Sequence, residues 1–269
     1  MRRGFPRLQA RPHQETGLSL TYLGHSAFKY EVGGLKIYVD PYIQEPLDWK
    51  RLPKGDIVLL THGHFDHGVQ LAPQLWAAWR CKFLAPTALA NWMLRKYKRK
   101  IPAEAIIPLE PGQALRFGEV NIVAVPALHP MSRLGKTILA LFARNNAPGN
   151  PVNGYYFNGF YQSGDTIYSP EIAVALKGRI VHTAVLPIGG KYKTANPQEA
   201  LRIAEEIGTK RLVPCHFQAL LEQVPFRYQP SHLAKLAKSS GTAVKVCALA
   251  IGEVLEDTGY RVDGTAIAR

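Results

Sequence analysis

The sequence predicts one α/β domain built on two sheets with helices outside both. Three observations carry this. Short β-like runs occur in both halves of the chain, helical periodicity interleaves with them, and no linker or internal repeat separates the halves. The 269 residues are 46% hydrophobic and 20% charged, ordinary globular composition that argues against disorder.

The elements follow in order. Residues 1–17, opening Met1-Arg2-Arg3-Gly4-Phe5-Pro6, are basic and lack the apolar run of a secretory signal, so they read as a basic arm before a single domain over 18–269. Strands are expected over 18–23, 27–32 and 35–39, with Gly33-Gly34 as a two-residue hairpin turn. The run 56–60 is continuously apolar after Asp56, as in a strand covered on both faces. Leu71, Leu75 and Ala78 or Trp79 recur at helical spacing, and a second helix fits 87–97, ending in the basic run Arg95 to Lys100. That run reads as a solvated helix end. Strands resume at 114–117 and 121–125 around the turn Gly118-Glu119.

Residues 130–153 read as an insertion over one end of the domain, with an apolar stretch at 137–142 and a loop at 145–151. The last third alternates regularly. A strand at 155–162 leads to a helix capped by Ser169 with Pro170 first. The run 183–188 precedes a helix with a capping-box signature: Asn196 as cap, Pro197 first, Glu199 third and Gly208 past the end. A strand at 211–214, a helix at 231–238 and a final strand at 243–249 complete the pattern.

Charge and cysteine content narrow the function classes. The net charge of +13 favours anionic partners without choosing among phosphorylated metabolites, nucleic acid and acidic lipid. Cys81, Cys215 and Cys247 are too few for a disulfide framework, and no stretch approaches the roughly 20 apolar residues of a membrane span. A cytoplasmic location is expected.

The chemistry concentrates in Thr61-His62-Gly63-His64-Phe65-Asp66-His67, directly after an apolar strand. Histidines at i and i+2 of an extended segment project to the same side, so one ion can sit between them. Gly63 permits a sharp path and close approach. Asp66 and His67 arrive as the chain turns and can face a second ion. Neutral imidazole and carboxylate suit Zn²⁺, Mn²⁺ or Fe. The same grammar recurs: mostly apolar runs end in His129, Asp165 and His216. In α/β sheets strand ends are where functional groups gather on a rigid frame. Cys215, between Pro214 and His216, reads as core rather than nucleophile.

These residues resemble the metallo-β-lactamase fold superfamily. The resemblance rests on 61–67, His129, Ser163-Gly164-Asp165-Thr166 and Pro214-Cys215-His216. Tyr22-Leu23-Gly24-His25-Ser26-Ala27, Val39-Asp40-Pro41 and Leu186-Pro187-Ile188-Gly189-Gly190 are similar to the UlaG-like metal-dependent hydrolases, and coverage runs from about Leu18 to Glu253. The resemblance implies a four-layer αββα sandwich with the site at the sheet edge. It implies one metal among His62, His64 and His129, another among Asp66, His67 and His216, and Asp165 bridging them. Asp40 would orient a ligand imidazole, and His25 would sit near the mouth. Asp66 and His25 are then the catalytic candidates beside two divalent ions, Zn or Mn, with Fe also suited.

Two cations about 3.5–4 Å apart ready a hydroxide for attack on a carbonyl or phosphoryl centre. The expected substrate is a small anionic molecule, a lactone or a phosphate ester. Lys191, Tyr192 and Lys193, in a rim loop, and Ser132 and Arg133, just after His129, are the substrate-binding candidates. A phosphodiesterase acting on N-acyl phospholipid or RNA is the alternative within the fold. A metal-stabilised nucleic-acid-binding protein without catalysis is the alternative outside it. Nucleic acid or a membrane surface as partner is possible but not favoured, and an oligomer remains open. His13, His182 and His232 have no supporting context.

Overall fold

Side-chain alternation builds the layers. In strand β4 (Ile57–Leu59), Ile57 and Leu59 face one apolar cluster while Val58 faces another, so both faces of the strand are covered. The computed structural model in which this is seen describes residues 18–43, 47–130, 147–191, 193–217 and 227–257. The arm at 1–17, Ser132, Arg133, Tyr192 and most of the expected 130–153 insertion lie outside the described residues.

The first sheet holds β1 (Leu18–Gly24), β2 (Ala27–Val32), β3 (Leu35–Val39), β4, β5 (Lys82–Ala85) and β6 (Ile106–Pro108) in chain order, with a late strand (Val254–Asp257) outside β1. The second holds β7 (Ala114–Phe117), β8 (Val120–Ala127), β9 (Val152–Phe157), β10 (Phe160–Gln162), β11 (Thr183–Pro187), β12 (Arg211–Cys215) and β13 (Lys245–Val246) in the same manner; the late strand is β14. Each sheet is mixed. Pairing is antiparallel from β14 to β3 and from β7 to β10, and parallel over β3 to β6 and β10 to β13.

The inner faces of the sheets share one core, where Phe28, Tyr30, Phe157 and Phe160 interlock. Tyr30 Oη donates to Gln162 Oε1 at 2.7 Å and Gln162 Nε2 donates to the Ser26 carbonyl at 2.8 Å, a polar tie between the sheets. Helices α1 (Ala72–Trp79) and α2 (Thr87–Lys96) cover the outer face of the first sheet. Helices α3 (Pro170–Leu176), α4 (Pro197–Glu206) and α5 (Pro230–Ser240) bury their apolar faces in the core that includes β11 and β12. The result is the expected α/β sandwich.

Several local expectations change. The run 155–162 is a hairpin rather than one strand, because Asn158 (φ 46°) and Gly159 (φ 84°) turn the chain between β9 and β10. Val152 and Asn153, read as the end of the insertion, already belong to β9. The final strand shrinks to Lys245–Val246, and β6 and β14 are short strands that composition did not disclose. No helix among the described residues is long and apolar enough to cross a membrane.

Candidate metal centre

Strand direction gathers the donors. β1, β3 and β4 run the same way in the first sheet, and β8, β10 and β12 share one direction in the second. Their exits deliver His25, Asp40, the 61–67 segment, His129, Asp165 and His216. His25 (φ 50°), Asp40 (φ 45°) and His216 (φ 51°) all take left-handed backbone conformations, each costing about 1–2 kcal/mol for a side chain bearing Cβ. Strain of this kind persists where the surroundings over-determine it. The His216 N–H donates to the His25 carbonyl at 3.0 Å, locking two of these turns together.

Two donor groups of four result among the described residues, and Asp40, His62 and His67 form a smaller third that spans them. His62, His64, His129 and Asp165 can each aim a ligand atom within 4.8 Å of the others, and so can His25, Asp66, His67 and His216. Asp165 touches both groups. Its Oδ2 lies 3.9 Å from His62 Nε2, 3.9 Å from His129 Nε2 and 3.4 Å from His216 Nε2, while Oδ1 lies 3.5 Å from His67 Nε2. The structure therefore brings together all seven residues expected as ligands. It also places His25 within the second group, its Nε2 3.2 Å from Asp66 Oδ2.

Acceptors behind the rings fix which nitrogen points inward. Asp40, wholly buried, accepts from Thr61 N–H at 2.8 Å, Thr61 Oγ1 at 2.6 Å and His67 Nδ1 at 2.7 Å. Because the Thr61 hydroxyl donates to Asp40, its lone pairs are left to accept from His62 Nδ1, 2.9 Å away. His129 Nδ1 donates to the Lys193 carbonyl at 3.1 Å. For these three histidines Nε2 is thus the lone-pair nitrogen when the ring is neutral, and it faces Asp165.

Burial and charge act on the same groups. Burial holds His64 and His216 down to about 4, and burial with the neighbouring imidazoles keeps His62 neutral far below its ordinary range. Burial opposes charge on His67 as well, but the Asp165 and Asp40 carboxylates outweigh it and hold this imidazole well above the usual histidine range. Burial likewise opposes charge on Asp165, yet His216 and His67 hold it well below the carboxylate range. The Asp66 carboxyl is lowered against burial by the His25 hydrogen bond and the charges around it, and its side chain is 13% exposed.

The donor set fits metal ions on the structure's own terms. His67 Nε2, His129 Nε2, Asp165 Oδ1 and His25 Nδ1 are buried without a hydrogen-bond partner, a cost that a cation bound among them would remove. Imidazole and carboxylate donors without thiolate suit Zn²⁺, Mn²⁺ and Fe alike. Cys215 is buried, and burial pushes its thiol well up, so it packs in the core as expected.

Two glycines admit a loop over the site. A Cβ on Gly63 would lie 2.5 Å from the Pro148 carbonyl oxygen, and the Gly63 N–H donates to that oxygen at 2.8 Å. Gly63 is therefore required for close approach, not for a left-handed turn. A Cβ on Gly149 would overlap His64 Nε2. The reading of motifs missed Gly149, the Thr61 hydroxyl and the Lys193 carbonyl. Only Thr61 carried a signal, its place inside the ligand motif. Lys193 was expected to offer its ammonium group. Its side chain is exposed, and it is its carbonyl that meets His129; the Lys191 carbonyl accepts from Thr194.

Comparisons with known proteins agree with this geometry. A family model described as β-lactamase superfamily domain matches residues 19–216. A protein of Rubrobacter xylanophilus named a UPF0173 metal-dependent hydrolase is 28% identical over 252 residues, spanning 89% of this chain and 96% of that one. The solved structure of Igni18, a metallo hydrolase of Ignicoccus hospitalis, superposes with a TM-score of 0.70 at 25% identity, over 90% of this chain and 99% of that one. The metallo-β-lactamase fold protein YhfI of Bacillus subtilis gives a TM-score of 0.65 at 18% identity, over 90% of this chain and 100% of that one, a likeness of fold.

Proposed function

The chain belongs to the β-lactamase superfamily and, with its relatives, to the metal-dependent hydrolases; from that premise we propose a dinuclear hydrolase acting on a small anionic substrate, a lactone or a phosphate ester. The observation that carries the reading is Asp165, whose two oxygens stand within 4 Å of imidazole nitrogens from both donor groups. His62, His64 and His129 would hold one ion and Asp66, His67 and His216 the other, with Asp165 between. Zn and Mn are the proposed metals, and Fe suits the same donors. When bound, such a pair supplies a water acidic enough to ionise near neutral pH and a positive field for the oxygen that gains charge.

The chain's own groups do the rest. Asp40, Thr61 and the Lys193 carbonyl hold the rings of His67, His62 and His129 with Nε2 inward, so the cage is ordered before anything binds. Asp66 Oδ2 and His25 Nε2 share one hydrogen bond at 3.2 Å, a carboxylate–imidazole pair able to receive a proton released in the reaction. The surrounding burial keeps His64 and His216 neutral, the state in which they are ligands. The UlaG-like segments around His25 and Asp40 favour a phosphorylated lactone over a diester, and the net charge of +13 favours an anion of either kind.

Elemental analysis of purified protein tests the stoichiometry, with two ions per chain expected. A phosphorylated lactone assayed beside bis-p-nitrophenyl phosphate tests the substrate class. Turnover of the diester alone would replace the lactonase reading with the phosphodiesterase one. No turnover of lactones, esters or diesters by protein replete with Mn²⁺ or Zn²⁺ would remove the catalytic reading.

A further inference from the structure

The strand-entry edge of the first sheet, opposite the donor groups, carries a concentration of positive charge that the hydrolytic site does not use. Two backbone hydrogen bonds and one from a side chain tie this edge together: Asp56 N–H to the Lys36 carbonyl at 2.9 Å, Lys82 N–H to the Asp56 carbonyl at 3.0 Å, and Lys82 Nζ to the Glu104 carbonyl at 3.0 Å. Around these contacts stand Lys54, just before β4, and Arg80, at the C-cap of α1. The five cations of 95–100, from the end of α2 to the turn before the 3₁₀ segment Ala103–Ala105, complete the edge. Lys54, Arg80 and all five of that run are exposed. Among the described residues none of them forms a salt bridge with a carboxylate. Asp56 and Glu104 are the acids among them, and Asp56 Oδ2 is engaged by the Lys36 N–H at 2.8 Å.

Uncompensated like charges at this density repel one another, and an extended polyanion relieves that repulsion while releasing its own counterions. The edge also has flat rings. The Arg80 guanidinium lies 5.2 Å from the centroid of the half-buried Trp76 indole, and half-buried Trp92 contacts Tyr97 at 5.4 Å. Among the described residues it offers no fully exposed large aliphatic group for insertion into lipid: α2 turns Leu89, Ala90 and Met93 inward, Leu52 and Leu94 are half-buried, and the exposed large hydrophobic residues, Leu128, Val174, Ile180 and Val254, lie on other elements. Charge with stacking surface and without an outward aliphatic face is the chemistry of nucleic-acid rather than membrane docking.

We propose that the strand-entry edge of the first sheet, around Lys54, Arg80 and the 95–100 run, binds the phosphate backbone of a nucleic acid. From Asp56 to Thr61 the chain advances roughly 16 Å at about 3.3 Å per residue, which sets Lys54 apart from the donor groups. The 95–100 run meets the segment after the donor motif through the buried Tyr97, whose Oη donates to the Val69 carbonyl at 3.2 Å, while its five cations face solvent. Binding here is independent of the hydrolytic reading.

The test is fluorescence anisotropy with the full chain and a labelled oligouridylate of about 30 nucleotides, titrated between about 50 and 200 mM salt. The triple variant K98E/R99E/K100E is expected to weaken binding by at least about tenfold and to lower the slope of log Kd against log salt by about 2, three contacts at about 0.7 each. A second variant on the same edge, K54E/R80E, is expected to weaken it as well, whereas K177E/R179E, on the loop after α3, is expected to bind like wild type. Metal content and melting temperature are expected to match wild type in all three. The proposal is overturned if wild type does not bind the oligonucleotide, if the two edge variants bind as wild type does, or if the distal variant weakens binding as much as they do. Preference for anionic phosphatidylserine vesicles over the oligonucleotide would also overturn it, in favour of a lipid surface.

Discussion

Asp40 and His67 are joined by a 2.7 Å hydrogen bond between Oδ2 and Nδ1 at a place where neither side chain meets solvent. The same carboxylate holds Thr61, and through it His62, so one acidic group orients an imidazole in each donor group. Replacing Asp40 by Asn keeps the volume but presents one acceptor oxygen where two served three donors. The expected loss in metal affinity is about 10–100-fold, read by competition with a chromogenic chelator. Unchanged affinity would contradict the orienting role.

Asp165 and His64 separate shared from local contributions. Asp165→Ala is expected to empty both halves of the centre, while His64→Ala leaves the group around His67 intact and retains up to one ion. Turnover falls by more than about tenfold in either, and in Asp66→Ala, with the folded state preserved. Elemental analysis beside circular dichroism distinguishes the cases. Two ions retained by folded Asp165→Ala would refute the bridging assignment.

Gly149→Ala tests the loop seated on His64. The added methyl overlaps Nε2 of that ring, so either the ring or the 147–149 segment must move. Metal affinity at the His64 group and turnover are both expected to fall, by about tenfold or more, given how strongly such sites depend on displacements near 1 Å. Gly63→Ala meets backbone rather than a side chain and is expected to cost stability as well, of order 1–3 kcal/mol, measurable by denaturant unfolding. A Gly149→Ala protein with native metal affinity would show that His64 is not confined by this contact.

Alkaline pH should unfold the protein through its tyrosines. Burial raises the phenols of Tyr22, Tyr30, Tyr155 and Tyr161 well above 10, and Tyr97 up to about 12. In the unfolded chain these groups ionise near pH ~10. Raised folded values mean that the folded state keeps protons the unfolded state loses, so stability is whole below that pH and declines as pH rises past it. The expected record is a tyrosinate absorbance rise that coincides with loss of near-ultraviolet dichroism. Ionisation of these buried phenols near pH 10 with dichroism intact would contradict their placement.

Much of this arrangement was legible because the chemistry is local in sequence or marked by chain punctuation. The capping box at Asn196 and Glu199 forms both of its hydrogen bonds, 3.1 and 3.0 Å, and the candidate donors at 61–67 follow an apolar strand. The hairpin at Asn158-Gly159 also carried its turn signal, which the apolar character of 155–162 obscured. Other features leave no mark in composition. The Lys193 carbonyl acts through backbone, which any residue supplies, and Gly149 matters only because residue 64 lies against it. Strands β6 and β14 form through pairing with distant partners rather than through intrinsic preference.

Donors on the two sheets hang from strand exits, yet the His129 ring leans on the Lys193 carbonyl and the His64 ring on the loop at Gly149, so the cage and the segments at its mouth are coupled parts of the polypeptide. Exchanging or lengthening either segment would disturb a donor ring as well as the rim. For a protein engineer this marks residues 147–149 and 193 as positions to leave in place when other surface segments are redesigned.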